Sequence, residues 1–267
     1  MSPVPVFSMV GMGCSLVLSV AAPIVLLVLL KKRTNARLSS AVYGALTFIV
    51  FALLLESLLH RLVLGVFGER LTGNVWLYAL YGGLAAGLFE ESGRWLTMKY
   101  FMKQRLDRDN ALMFGVGHGG IEAILLVGLT GVSNLAASLM INSGAMEASL
   151  GTLDEATRAA TEAQLAALGT TPSGVFFLGG VERLIAIALH IALSFLVYRA
   201  VKERRPSLWL LAVAVHAWID AGTVLLAQVL SPLWIELVLC ALVALLWAWV
   251  WPQLRAEEPA APPVDGA

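Results

Sequence analysis

An all-α, polytopic transmembrane helical bundle is the fold class predicted for this 267-residue chain, on three observations. Apolar residues make up 59% of it and charged residues 13%. With a mean hydropathy of +0.82, that is the profile of a membrane protein and not of a soluble core. The apolar residues gather into runs long enough to cross a hydrocarbon core of about 30 Å. Lysine and arginine collect in alternate connections between those runs. Formal net charge is zero, so nothing points to a nucleic-acid partner.

Taken in order, seven helical spans fit, at roughly 6–30, 40–66, 75–101, 110–142, 173–200, 207–229 and 232–251. The first lacks a basic segment before it, is followed by Lys31-Lys32-Arg33, and is too long for a signal-peptide core. With no small-residue cleavage site to close it, it reads as a retained anchor. The fourth is too long for one straight span, and Gly128, Gly131, Ser133 and Asn134 predict a kink or break. Pro206 and Pro232 fall at helix starts, where a missing N–H costs nothing. Cys14 and Cys240 both lie in apolar spans, so no disulfide framework is expected.

Basic residues set the orientation. Lys31, Lys32, Arg33 and Arg37 follow the first span, and Lys99, Lys103, Arg105 and Arg108 the third. Arg199, Lys202, Arg204 and Arg205 follow the fifth and Arg255 the seventh, whereas the opposite connections hold only Arg61, Arg70 and Arg158. The N-terminus is therefore expected outside and the C-terminus in the cytoplasm of a bacterial cell membrane. Trp76, Trp234, Trp249 and Trp251 sit near span ends as interfacial anchors. One outer connection, about 144–172, is long. Thr152 with Glu155 predicts a capping box, and Gly169 before Thr170-Thr171-Pro172 a stop. The amphipathic helix between them, with Leu153, Leu165 and Leu168, either lies on the membrane, caps the bundle or is a solvated connector. Residues 1–252 are expected to form one transmembrane domain and 253–267, rich in Pro and Ala, a disordered tail. No internal repeat is present in the sequence.

Ionisable residues inside these spans are the functional signal, because each costs about 2.5 to 3.5 kcal/mol at the bilayer centre. The third span carries Glu90-Glu91-Ser92-Gly93-Arg94, in which either glutamate can reach the arginine along the helix. Two carboxylates against one guanidinium leave a negative charge that needs a proton, a metal or another cation. The fourth span holds His118 and Glu122 four apart, the spacing of two metal ligands on one helix face, amid glycines that admit a close backbone. Tight helix packing explains those glycines equally well. The fifth span has Glu182-Arg183, read foremost as a structural pair, and then His190. The sixth has His216 and Asp220, again four apart, where the carboxylate can orient the ring. At 1.5 Å per residue, Glu90, His118 and His216 lie about 10 to 15 Å from the cytoplasmic ends of their spans, with Glu122 and Asp220 slightly deeper. His190 falls in the same half and Glu182 higher. His60, one turn after Glu56, falls near the outer end of its span and reads as structural, as does Glu236.

In that order along the chain, Glu90-Glu91-x-x-Arg94, Phe114-x-x-x-His118 and His216-x-x-x-Asp220 resemble the CAAX-protease and bacteriocin-processing superfamily of intramembrane peptidases. The Gly-His-Gly-Gly-Ile-Glu-Ala run at 117–123 and the Glu182-Arg183…His190 block look most like its YhfC branch, described as intramembrane metalloproteases. The resemblance spans roughly 75–228. It implies that Glu90 activates a water with His118 beside it, that Glu91 pairs with Arg94, and that His216 and residue 220 stabilise an oxyanion. Two departures stand out. Only two residues separate Glu91 from Arg94, as in PrsW-type proteases, and Asp220 stands where Asn is usual. An ionised Asp repels an oxyanion, so Asp220 must be protonated, orient His216 or bind metal.

The chemistry this set supports is hydrolysis of a peptide bond in a membrane-associated substrate. A carboxylate-only route uses Glu90 as base with histidines as donors. A Zn²⁺ route draws its ligands from His118, His190, His216 and Glu122, with a glutamate as base. A proton or metal-ion transporter, or a non-catalytic scaffold or immunity protein of the same fold, would carry the same buried groups. Substrate identity is not encoded in any of these motifs.

Overall fold

A computed structural model describes residues 2–257, and no strand occurs among them. The helices are α1 (Val6–Arg33), α2 (Leu38–Thr72), α3 (Val75–Tyr100), α4 (Arg108–Ser143), α5 (Ala145–Leu150), α6 (Glu155–Thr170), α7 (Ser173–Lys202), α8 (Pro206–Leu226) and α9 (Pro232–Ala256). Six of them, α1, α2, α4, α7, α8 and α9, are long and apolar enough to cross a membrane. The 26-residue α3 is long enough as well, but Glu90, Glu91, Arg94 and Lys99 set it apart by composition. Large apolar side chains such as Leu62, Val66, Leu80 and Leu245 lie exposed on the helices, as suits a solvent of lipid tails. This is a multi-pass membrane protein.

Two helices contain π-helical stretches, where one residue is inserted into a turn. In α2 it covers Ile49–Glu56, which the sequence pattern does not announce. In α4 it covers Ile124–Gly128, a few residues before the predicted break, and the helix then continues to Ser143. Such insertions realign side chains without ending a helix. Gly144, with φ 79°, terminates α4 in the left-handed conformation that glycine adopts without a Cβ penalty.

The structure divides into two compact units, with α1, α4 and α7 contributing to both. One unit comprises the chain through Ala22 together with Ala123–Leu184. Within it, the Ser15 hydroxyl donates to the Phe176 carbonyl and accepts from the Gly180 N–H (2.8 Å). Asn142 accepts from the Val4 N–H (2.7 Å) and donates to the Val4 carbonyl (2.9 Å). Val4, Met12 and Leu168 form its core, with Leu165 and Phe176 against them. The loop helix α6 thus caps its own unit through Leu165 and Leu168, while Leu153 stays exposed. Its cap differs from the predicted box. Asp154 accepts from the Thr157 N–H (3.0 Å), and the Thr152 hydroxyl instead turns back to the Ser149 carbonyl (2.8 Å). Asp caps as well as Thr does, and it directly precedes Glu155.

The other unit comprises Pro23–Glu122 and the chain from Ile185 onward. Met98, Met102, Phe114, Leu193, Leu196 and Val250 belong to its core. Helices α2 and α4 approach until a Cβ on Gly117 would lie 2.0 Å from the Ala41 carbonyl oxygen, so only glycine fits. The basic helix ends are tied together: the Arg37 N–H and Ser40 hydroxyl both donate to Asn110 Oδ1 (2.9 and 2.7 Å). Arg108 Nη1 donates to the Glu257 carbonyl (3.1 Å). Pro206 and Pro232 open α8 and α9 as expected. Helix α9 runs through Pro252 to Ala256, so the tail begins later than residue 253. Gln253 Nε2, which donates to the Trp249 carbonyl (2.8 Å), and the Arg108 contact hold that last turn. Residues 258–267, the remainder of the predicted tail, lie outside the described residues.

Candidate active site

Four helices of the second unit bring Glu90, Glu91, Arg94, His118, Glu122, His190, His216 and Asp220 together. Arg94 is the hub and is wholly buried. Its Nη1 donates to Glu91 Oε1 (2.6 Å), and its Nη2 to Glu90 Oε2 (3.2 Å) and His190 Nδ1 (2.6 Å). A guanidinium only donates, so His190 Nδ1 accepts and the ring proton sits on Nε2, which pairs with Glu122 Oε2 as an ion-pair contact. Glu90 Oε2 also meets His118 Nε2 at 2.8 Å. His216 Nδ1 donates to Glu91 Oε1 (2.8 Å), leaving Nε2 facing Asp220 Oδ2 at 3.5 Å. The rings of His118 and His190 are 5.1 Å apart between centroids, and those of His190 and His216 5.5 Å. Phe48 and Phe114 flank His118 edge-on and stacked, at 5.4 and 6.2 Å.

The glycines around His118 serve close packing within the chain. A Cβ at Gly119 would lie 3.0 Å from the His190 Cβ, and one at Gly120 2.6 Å from the Pro23 Cβ. Glu182 and Arg183 belong to the first unit, where Arg183 Nε donates to Glu182 Oε2 (2.8 Å), as their reading as a structural pair anticipates. One residue set aside in the sequence joins the cluster. Glu56, 8% exposed, interacts electrostatically with Glu90, His216, Asp220 and Glu122. Its span runs on to Thr72 and not to about 66, so Glu56 lies mid-helix. The available signal was spacing: Glu56 and His60 are four apart, like His118 and Glu122.

A metal fits this constellation on three counts. Glu90, His118 and His190 offer ligand atoms that all lie within 4.8 Å of one another, all buried. Tetrahedral ligands at about 2.0–2.2 Å stand about 3.3–3.6 Å apart, and the observed Glu90–His118 and Glu90–His190 separations of 2.8 and 3.9 Å bracket that spacing. Glu90 and Glu91 share the one guanidinium, and Glu122 and Asp220 lie against His190 and His216, a surplus of carboxylates that protons or a cation must neutralise. Finally, Glu122 lies against Nε2 of His190, the carboxylate–histidine pairing that orients a metal ligand, and Nδ1 would bind a metal only in place of its Arg94 Nη2 contact. Buried His118 Nδ1 and Glu91 Oε2 lack hydrogen-bond partners, so the polar capacity of the cluster is not exhausted. The geometric group differs from the ligand set expected from sequence by including Glu90 and omitting His216 and Glu122.

Comparison with known proteins places the chain in a family. No solved structure matches the chain. The uncharacterized membrane protein YhfC of Bacillus subtilis (strain 168) is 44% identical over 208 residues, covering 76% of this chain and 79% of that protein. The profile of the YhfC intramembrane metalloproteases matches residues 18–240, a stretch that contains every residue of the cluster. The chain therefore belongs to the YhfC intramembrane metalloprotease family.

Proposed function

We propose that this protein is an intramembrane peptidase that hydrolyses a peptide bond of a membrane-associated substrate, with Glu90 at the centre of its chemistry. The observation that carries the proposal is the convergence of Glu90, His118 and His190 from three helices into one buried group. In the bilayer we place α3 as a seventh span beside the six apolar helices. The basic helix ends face the cytoplasm and the N-terminus faces out.

Peptide hydrolysis needs a base for water, a donor for the oxyanion and a proton for the leaving amine. Glu90 Oε2, with His118 Nε2 at 2.8 Å, takes a proton from the attacking water and returns it to the amide nitrogen. His216, fixed through Nδ1 by Glu91, presents Nε2, and a proton held there donates to the developing oxyanion. Asp220, 3.5 Å from Nε2, orients the ring and does not itself meet the oxyanion, which a carboxylate would repel. Arg94 holds Glu90 and Glu91 in register. Phe48 and Phe114 keep water from the flanks of His118. A zinc ion at this site would be held by Glu90, His118 and His190 and would supply Lewis-acid chemistry.

The test is digestion of a membrane-peptide library by protein in liposomes, together with metal analysis. Cleavage is expected from the wild type and is reduced at least about 100-fold in Glu90→Gln and His118→Ala. Zn²⁺ or H⁺ uptake that depends on Glu90, without any cleavage, would replace hydrolysis with ion conduction.

A further inference from the structure

From the layering of side chains along the second unit, we infer that its reactive cluster is reached from the face opposite the basic helix ends, along a polar file formed by Asp220, Glu56, His60 and Tyr81. Glu90, His118 and His216 each stand ten residues from the basic end of their helix, at Tyr100, Arg108 and Pro206, or about 15 Å. The layer below them is closed. Met98, Phe114, Leu193 and Leu196 are each 0% exposed, and the hydroxyls of Thr47 and Thr97, on α2 and α3, bond each other (2.9 Å).

Above the cluster the character reverses. Glu122 and Asp220 lie four residues farther along their helices, about 21 Å from the basic ends. Glu56 and Tyr81 come next at about 27 Å, and His60 about one turn beyond. These groups are connected. His60 Nε2 meets Glu56 Oε1 at 3.2 Å, and His60 Nδ1 meets the Tyr81 hydroxyl at 2.8 Å. Glu56 interacts electrostatically with Asp220 and Glu90. Exposure varies along the file: in order of depth the Glu90, Asp220, Glu56 and His60 side chains are 9%, 39%, 10% and 33% exposed. A carboxylate exposed to the degree of Asp220 cannot face hydrocarbon at small cost, so the side on which Asp220 lies is taken as the wet one. The stretch that delivers Glu56 is the π-helical segment Ile49–Glu56. Inserting one residue into a turn rotates those beyond it by about 100° relative to a regular helix, so the insertion sets which face Glu56 and His60 occupy. Water and the polar part of a peptide therefore enter from the end bearing the α2–α3 and α8–α9 connections. The peptide bonds within reach are those of segments presented on that face.

The inference concerns the site of the proposed peptidase, yet its test reads access and not cleavage, so the two can fail separately. In full-length protein in sealed vesicles, with Cys14 and Cys240 replaced by serine, single cysteines are labelled with a charged, membrane-impermeant methanethiosulfonate added to one face at a time. Lys103→Cys and Glu69→Cys, at opposite ends of α2 and α3, report which face the reagent meets. His60→Cys and Asp220→Cys are expected to react at least ten-fold faster from the Glu69 face than from the Lys103 face. Leu196→Cys is expected to react from neither. If Asp220→Cys fails to fold, as judged by gel filtration, Tyr81→Cys reports on the same file. Faster labelling from the Lys103 face, labelling of Leu196→Cys at the rate of His60→Cys, or protection of the whole file from both faces would overturn the inference.

Discussion

Replacing Arg94 with methionine removes the guanidinium while nearly keeping the length of the side chain. The native group lies 2.6 Å from Glu91 Oε1 and 3.2 Å from Glu90 Oε2, all within a wholly buried setting. At an effective dielectric constant of about 20, each charge pair at roughly 4 Å contributes about 4 kcal/mol. Part of that is offset in the native protein by the cost of desolvating the arginine itself. Breaking a buried pair by removing one partner typically costs about 3–5 kcal/mol, and the same range is expected here. The loss stems from orphaned carboxylates. Adding Glu91→Gln to Arg94→Met should therefore recover about 2 kcal/mol, making the double variant more stable than the single one. Unfolding in mixed micelles, followed by far-UV circular dichroism and run as a double-mutant cycle, measures both quantities. An Arg94→Met variant within about 1 kcal/mol of wild type, or a double variant less stable than Arg94→Met, would refute the view that Arg94 neutralises this pair.

Other outcomes follow from the same geometry. Gly117→Ala places a Cβ 2.0 Å from the Ala41 carbonyl oxygen; the α2–α4 contact must open, at about 1–3 kcal/mol of stability, seen as a lower melting temperature in detergent. Zinc at about 100 times its dissociation constant should raise the unfolding free energy of wild type by about 2.7 kcal/mol, and that of His118→Ala or His190→Ala by nothing measurable. In the loop helix, hydrogen bonding with Thr157 holds the Asp154 carboxyl below its ordinary value. A depressed carboxyl contributes stability above its unfolded value and loses it as pH falls through the folded one. Amide exchange, corrected for its intrinsic pH dependence, should thus accelerate at the start of α6 in acid, and it should do so at neutral pH in Asp154→Ala.

Much of the fold was legible because lipid imposes simple demands. Runs of apolar residues placed each of the long helices to within a few residues, with α2 the main exception: it ends at Thr72 and not at about 66. Periodicity assumes 3.6 residues per turn, so neither π-helical stretch could be read from it. That assumption also explains the misplacement of Glu56, whose depth was reckoned on a shorter, regular span. Among site residues, Glu90, Glu91, Arg94, His118, Glu122, His190, His216 and Asp220 stood out because each is costly where it is found. Which nitrogen faces which oxygen was beyond the sequence. His190 lies 96 residues from Arg94, and nothing in one helix specifies the rotation of another.

Hydropathy and charge alone determined that this chain lives in a membrane, roughly where its helices run and which of their residues are too polar to be there for packing. These are properties of each segment against its solvent, and a segment carries them by itself. Tertiary structure decided the partnerships: Arg94 between two glutamates and a histidine, Glu122 behind His190, Glu56 drawn into the cluster from α2. Those depend on the separation and rotation of neighbouring helices, which are set by contacts such as Gly117 on Ala41 that no single segment contains.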